Sequence, residues 1–459
     1  MQNVKDAINN TRNFFEKGKT RDLLFRKEQL QILRNAIIEN EDKIINALNK
    51  DLGKSPFISY VTEIALVVKE IELFIRNLQR WSRTKKVRTP LGHIGASSYI
   101  YQEPYGTILI FSPWNYPFQL SFLPLVGALA SGNTVVLKPS ELSPATSAII
   151  AEIIADNFKQ GLITVVEGDK ETSMFLLAEK FDYIFFTGST FVGKQVMKAA
   201  AENLTPVTLE LGGKSPCIVD LDANIDIAAR RVVWGKYLNA GQTCIAPDYL
   251  LIHKSIKDRF NEKAQGYIKK FYGENALLSP DYNRIINKKH FERLSSFLDN
   301  GTTVVGGEVN KEALYISPTI IDDIDWKDPV MQEEIFGPIL PVISYERIEE
   351  VIKAIKNQPK ALALYLFSKN KAVQDRIIKE IQFGGGCIND TIIHASSPYL
   401  PFGGIGESGM GVYHGKSSFV TFSHPKSIVK RGNLQDFSFK YPPYKKDHLR
   451  LVKKIFKWL

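Results

Sequence analysis

Leu23, Leu30, Leu33, Ile37, Ile44 and Leu48 recur at three- to seven-residue steps, the spacing of one apolar helix face. Tyr60, Ile64, Val67, Val68, Ile71, Phe74, Ile75 and Leu78 repeat the pattern, and Gly53, Ser55 and Pro56 punctuate the join. The first eighty residues therefore predict helices. After Trp81 comes a basic, turn-rich segment ending at Gly95, then the alternating SSYIYQE, which predicts an exposed β-ribbon strand. From Gly106 the texture changes. Short apolar runs at 107–111, 133–138, 162–168, 183–186, 207–211 and 217–220 are bounded by turns, and amphipathic stretches such as 146–158 and 192–202 separate most of them. Runs apolar on both faces, alternating with helices, predict a buried parallel sheet covered by helices. A similar alternation after Asn239 predicts a second α/β unit.

The 459 residues are enough for two or three domains, and 44% apolar with 24% charged residues excludes a disordered or fibrous chain. No apolar run approaches the roughly 18 residues that cross a bilayer. The N-terminus reads as an amphipathic helix rather than a signal peptide, so a cytoplasmic chain is expected. Its three cysteines do not cluster with histidines, so neither a disulfide framework nor a metal site is expected. The net charge of +10 suggests a nucleic-acid binder, but ten Lys or Arg against two Asp from Lys426 to Leu459 account for +8 of it. The remaining chain is nearly neutral, and a nucleic-acid partner is not expected.

Two phosphate-loop patterns are decoys. Gly213-Lys214-Ser215 resembles the end of a P-loop, but the glycine required five positions earlier is Thr208. Gly404-Ile405-Gly406-Glu407-Ser408-Gly409 fits a dinucleotide fingerprint, yet it neither follows a strand nor opens a strong helix, so a glycine-rich turn is the better reading. The informative residues sit where strands end. Asn115 follows the strand at 107–111, Lys138 and Glu141 follow 133–138, and Gly188 and Ser189 follow 183–186, with Gly193 opening the next helix. Glu210 closes 207–211, and Cys244 lies in the glycine-led loop Gly241-Gln242-Thr243-Cys244. An α/β sheet builds its site at those ends.

PWNYP, KPSE, FTGST, ELGGKSP, GQTC, EEIFGP and PFGGIGESGMG stand in the order and spacing of the aldehyde dehydrogenase superfamily, which nearly the whole chain resembles. The short N-terminus and GMGVYHGKSSFVTFSH resemble its class 3 branch, which includes fatty aldehyde dehydrogenases. The resemblance implies an α/β fold in three parts. A Rossmann-like coenzyme domain would span 1–82 and 104–210, an α/β catalytic domain 211–420, and a β-ribbon oligomerisation element 83–103 and 421–440. A basic tail at 441–459 and a homodimer complete the expectation.

It also implies NAD(P)-dependent oxidation of medium- or long-chain aliphatic or aromatic aldehydes to carboxylic acids, through a cysteine thiohemiacetal and thioester. Cys244 matches the nucleophile, Asn115 an oxyanion donor and Glu210 the base that activates water. Lys138, Glu141, Gly188, Ser189, Gly193, Glu334 and Phe336 match cofactor-binding positions. Glu141 facing the ribose favours NAD, and Lys138 would accept the phosphate of NADP. Tyr60, Tyr116, Ile393, Phe402 and His414 are candidates for an aldehyde channel, although core packing predicts the same residue types and a lone His is commonly structural. A coenzyme A-acylating relative and a catalytically silent membrane-associated scaffold are the rival readings.

In the tail, Val452, Ile455, Phe456 and Leu459 share one helix face while Arg450, Lys453, Lys454 and Lys457 ring it. Two readings stay open: packing on the chain or its dimer partner over the substrate mouth, and peripheral contact with an anionic inner-membrane surface.

Overall fold

The structure is a computed structural model that describes residues 2–93, 95–159, 161–433 and 440–457. The predicted N-terminal periodicity forms the helices Gln2–Glu16, Leu23–Glu39, Glu41–Leu52 and Ala65–Trp81, whose Leu30, Leu33, Ile37, Ile44, Leu48, Val67, Ile71 and Phe74 are buried. Asp22 caps the second by accepting from the Leu24 N–H, and Gly53 ends the third at φ 66°, where a left-handed residue is needed.

The short apolar runs form a six-stranded sheet in the order Gly409–Met410, Val207–Glu210, Tyr183–Thr187, Thr107–Phe111, Thr134–Lys138, Ile163–Val165. All neighbours are parallel except Gly409–Met410, which pairs antiparallel with Leu209 and Glu210. Chain order turns back between Thr107–Phe111 and Tyr183–Thr187, so the crevice at their carboxyl ends is this sheet's ligand-binding position. The glycine-rich segment 404–409 is a turn leading into the edge strand, with a Gly406–Gly409 bridge. That edge strand, drawn from the segment expected in the second unit, joins the first sheet.

A seven-stranded sheet holds Thr302–Val305, Thr319–Asp322, Ile339–Tyr345, Tyr249–His253, Pro216–Val219, Ala363–Phe367 and Gly385–Ile388, parallel except at its first strand. The link 211–215 runs from the carboxyl end of the first sheet to the amino end of the second, and the loop 241–248 enters the second sheet at that same end. Glu210 and Cys244 are thereby carried on facing ends of two rigid layers.

Ala96–Pro104 lies between Lys85–Val87 and Ser423–Arg431 in an antiparallel ribbon. Lys446–Lys457 forms the tail helix, on which Phe456 is 71% exposed. The Ile455 side chain and Leu459 lie outside the described residues. Among the described residues no helix is long and apolar enough to cross a membrane.

Candidate active site

Two cavities meet between the sheets. The more polar one, about 430 Å³, is lined by Trp114, Asn115, Gly188, Ser189, His290, Glu334 and Phe336 among others. The more apolar one, about 290 Å³, is lined by Val61, Leu66, Tyr116, Trp234, Ile392, Ile393, Phe402, Tyr413 and His414 among others. Leu120, Thr187, Glu210, Leu211 and Cys244 belong to both walls. The nucleophile candidate and the base candidate therefore stand where the cavities join.

Cys244 is half-buried; Cys217 is fully buried and the half-buried Cys387 lies near the His394 imidazole. Burial and the carboxylates of Glu334 and Glu210 push the Cys244 thiol up, while the Cys244 and Ile245 amides pull the other way. Glu210 is 3% exposed, and neither carboxylate oxygen has a hydrogen-bond partner among the described residues. Desolvation raises it well above an ordinary carboxylate, the condition a general base for water requires. Thr187, at the end of its strand, also has an unpartnered buried hydroxyl facing this junction.

The Asn115 side-chain amide donates to the Gln242 carbonyl at 3.0 Å. An amide nitrogen has two protons, so one remains for a reacting oxygen. Asn239 also reaches the Asn115 carbonyl, at 2.9 Å. Phe336, Ile392 and His414, which line the cavities, and Asn239 and Ala240, in the stretch leading to Cys244, are five of the nine described non-glycine residues with positive φ. Strained backbone of that kind persists where surrounding structure holds it.

The polar cavity carries the cofactor candidates Gly188, Ser189, Glu334 and Phe336 in its wall. A methyl at Gly212 would stand 1.9 Å from a Glu334 carboxylate oxygen, so only glycine lets that acid approach. Burial and nearby Asp248 raise Glu334 to about 8. Lys214 holds its loop through Asp248 (2.6 Å) and the Val330 and Glu333 carbonyls (both 3.0 Å), and Arg293 donates to the Ile335 carbonyl at 2.7 Å. Trp114 packs on His290 (5.2 Å) and Phe336 (5.3 Å). Ser189 caps the helix Thr190–Glu202, whose N-terminus opens beside Gly188. Gly193 instead fits that helix against Leu211, and a methyl there would come within 2.6 Å of it. Lys138 and Glu141 pair at 2.6 Å at the end of the strand beside Thr107–Phe111, outside the cavity wall.

Tyr116, Ile393, Phe402 and His414 line the apolar cavity, and Tyr60 is not in its wall. Thr62 and Leu66, four residues apart, share the helix face on the cavity, whereas Tyr60, two residues before Thr62, turns to solvent and is 44% exposed. His414 is buried, its Nε2 unpartnered, and burial with neighbouring His394 lowers it to about 3, so it is a neutral imidazole in the wall.

The aldehyde dehydrogenase family profile matches residues 1–428. The chain belongs to the aldehyde dehydrogenase family. It is 48% identical over its whole length to 4,4'-diaponeurosporen-aldehyde dehydrogenase of Staphylococcus aureus, covering 100% of both chains. It is 47% identical to the dimeric NADP-preferring aldehyde dehydrogenase of Rattus norvegicus, over 96% of this chain and 98% of that one. The solved substrate-bound state of Staphylococcus aureus AldH superposes with TM-score 0.97 at 47% identity, over 99% of each chain. As an aldehyde dehydrogenase, this chain is an NAD(P)-dependent oxidoreductase acting on aldehydes, of the class 3 kind.

Several site residues gave no sequence signal. His290 and Arg293 lie in an ordinary polar helix, and Thr62, Leu66 and Trp234 read as amphipathic filler. Lys54 stands between Gly53 and Ser55, which read only as punctuation. Its GKSP repeats that of Lys214, the one signal that could have found it.

Proposed function

We propose that this enzyme oxidises medium- to long-chain aliphatic or aromatic aldehydes to carboxylic acids through a thioester on Cys244. One observation carries the reading: Cys244 and Glu210 stand in the wall common to a polar cavity and an apolar one. The Cys244 thiolate adds to the carbonyl carbon, forming the S–C bond as the π pair moves to oxygen. The Asn115 amide and the Cys244 N–H receive that oxyanion, and such donors are each worth roughly 2.7–4 kcal/mol of barrier. The dinucleotide, when bound, supplies the acceptor for the hydride whose departure leaves the thioester. Glu210 then takes a proton from water; hydroxide adds, the C–S bond breaks, and acid and thiolate leave.

Glu334 and Phe336 would hold the nicotinamide ribose and ring. Gly188 and Ser189, at the start of a 13-residue helix backed by Gly193, would take the diphosphate, and Lys138 and Glu141 the adenosine ribose. Lys138 is already paired with Glu141, so its charge is less free for a 2′-phosphate; that supports NAD first and NADP second. The first-sheet unit, 1–82 with 104–210, would be the coenzyme domain and 211–420 the catalytic one. Ser423–Arg431, the exposed outer strand of the ribbon, would join two copies as a homodimer. The exposed apolar side chains of the basic tail helix, Leu449 and Phe456, would rest on an anionic membrane surface or on a partner. Failure to float with anionic liposomes at low salt would remove the membrane reading.

The test is NAD(P)H formation with a short-to-long aldehyde series, each cofactor supplied separately, beside Cys244→Ala. Turnover that rises with chain length and vanishes in the variant is expected, and 4,4'-diaponeurosporen-aldehyde, in the name of the Staphylococcus relative, is one substrate to include. Stimulation by free coenzyme A would overturn hydrolysis.

A further inference from the structure

Lys54 and Glu63 are both 0% exposed and form an ion pair inside the protein, away from either cavity wall. The Lys54 ammonium also donates to the Asn115 carbonyl at 2.9 Å and lies 4.1 Å from the centre of the Tyr116 ring. The other Glu63 oxygen accepts from the Phe118 and Gln119 N–H groups at 3.1 and 2.8 Å. One ion pair thus grips residues 115, 116, 118 and 119. Two of its contacts satisfy donors where the helix Gln119–Ser131 begins, donors that have no partner within that helix.

Glu63 sits on a single π-helical turn, Tyr60–Ile64, that joins two α-helices. Such turns are rare, and they re-aim side chains at functional sites. A buried ion pair is a poor source of stability, since apolar residues of the same volume often stabilise as well or better. Its contacts instead point to placement. Beyond each other, the two side chains meet Asn115, Tyr116, Phe118 and Gln119, the segment that carries the Asn115 amide and the Tyr116 hydroxyl. The amide donates to the Gln242 carbonyl at 3.0 Å, and the hydroxyl meets the Thr243 hydroxyl at 2.8 Å, two residues and one residue before Cys244.

We propose that Lys54 and Glu63 are positioning residues for the oxyanion donor: they fix the backbone at Asn115–Gln119 so that the free Asn115 amide proton meets the oxygen of the aldehyde on Cys244. The inference rests on the Asn115 role proposed above. Loss of the grip lets the amide drift by a fraction of an ångström to an ångström, and misplacement on that scale costs up to about 100-fold in rate. The residues proposed to hold the nicotinamide ribose, the ring and the diphosphate (Glu334, Phe336, Gly188 and Ser189) lie on other loops, so cofactor affinity is expected to hold.

The test is a mutant cycle between Lys54→Met and Asn115→Ala, read by the NAD(P)H burst rate at saturating aldehyde, by cofactor affinity and by urea unfolding. Lys54→Met alone leaves the fully buried Glu63 without its counter-ion. The neutral pair Lys54→Met with Glu63→Gln therefore carries the same test if the single variant does not fold. The expected result is a burst slowed by about 10- to 100-fold with unchanged cofactor affinity, and less than about twofold further loss when the change is made in Asn115→Ala. A neutral-pair variant with a wild-type burst would overturn the proposal. So would the same fold-loss in the Asn115→Ala background, which would mark the pair as structural. If Asn115→Ala itself retained the wild-type burst, the Asn115 role would fall, and the grip with it.

Discussion

The Tyr365 hydroxyl donates to the Ile245 carbonyl at 2.6 Å, tying the next-to-edge strand Ala363–Phe367 of the seven-stranded sheet to the turn that presents Cys244. Tyr365 is fully buried, with Cys217 and Cys387 as its cross-strand neighbours, so the tie is anchored in a strand paired on both sides. Tyr365→Phe keeps the ring and removes the donor. The buried carbonyl then lacks its hydroxyl partner, at a cost of about 1–3 kcal/mol. Urea unfolding should show that loss, and the NAD(P)H burst should slow while cofactor affinity holds.

Gly212→Ala tests the approach of Glu334. The added methyl would overlap the carboxylate, so Glu334 must move away from the cavity or the 211–215 link must shift. Cofactor affinity should fall by about tenfold or more, ~1.4 kcal/mol, in a fluorescence titration. An unchanged affinity would show that Glu334 does not face the dinucleotide.

Thiol reactivity should climb with pH. Burial and two nearby carboxylates raise the Cys244 thiol, so the thiolate is the minor form of the cofactor-free protein at neutral pH. The iodoacetamide alkylation rate of Cys244, followed by peptide mass, should rise about tenfold per pH unit without levelling near neutrality. A plateau below about pH 7 would mean that the site already holds a thiolate.

Glu70 gives the stability of the fold a pH dependence. It is 3% exposed, accepts the Gly415 N–H next to His414, and is raised by burial from its ordinary 4.5 to about 7. Between those values the folded chain keeps a proton that the unfolded chain releases. Stability therefore falls as pH rises through the window, by about 3 kcal/mol in all, and stays low above it. Glu70→Gln keeps an acceptor for Gly415 and removes the titration. Its advantage over the unmodified protein should be absent near pH 4.5 and fully present at pH 8, in urea unfolding at each pH.

Much of this was legible in the sequence because strong signals are local. Five of the six apolar runs became strands within a residue of their predicted ends, since a strand buried on both faces has no polar position to blur it, while 162–168 shortened to the edge strand Ile163–Val165. Asn115, Glu210 and Cys244 could be found from loops and strand ends. Glu63 could not, and Lys54 only through its repeated GKSP, because a buried charge has the same letter as a solvated one and its partner is defined only by packing. Tyr60 failed for a related reason: helical periodicity says which residues share a face, and the π turn between 60 and 64 shifts the face that the cavity sees. The edge strand Gly409–Met410 is two residues long, too short for any periodicity to announce it.

The most direct test of the account traps its intermediate. Glu210→Gln should lack the base that activates water, so with an aldehyde and NAD(P) it should form one NAD(P)H per site and then stall. Acid quenching followed by peptide mass spectrometry should find the acyl group on the Cys244 peptide. A full burst with Cys244 unmodified, or sustained turnover at the unmodified protein's rate, would contradict the thioester route and the roles of both residues.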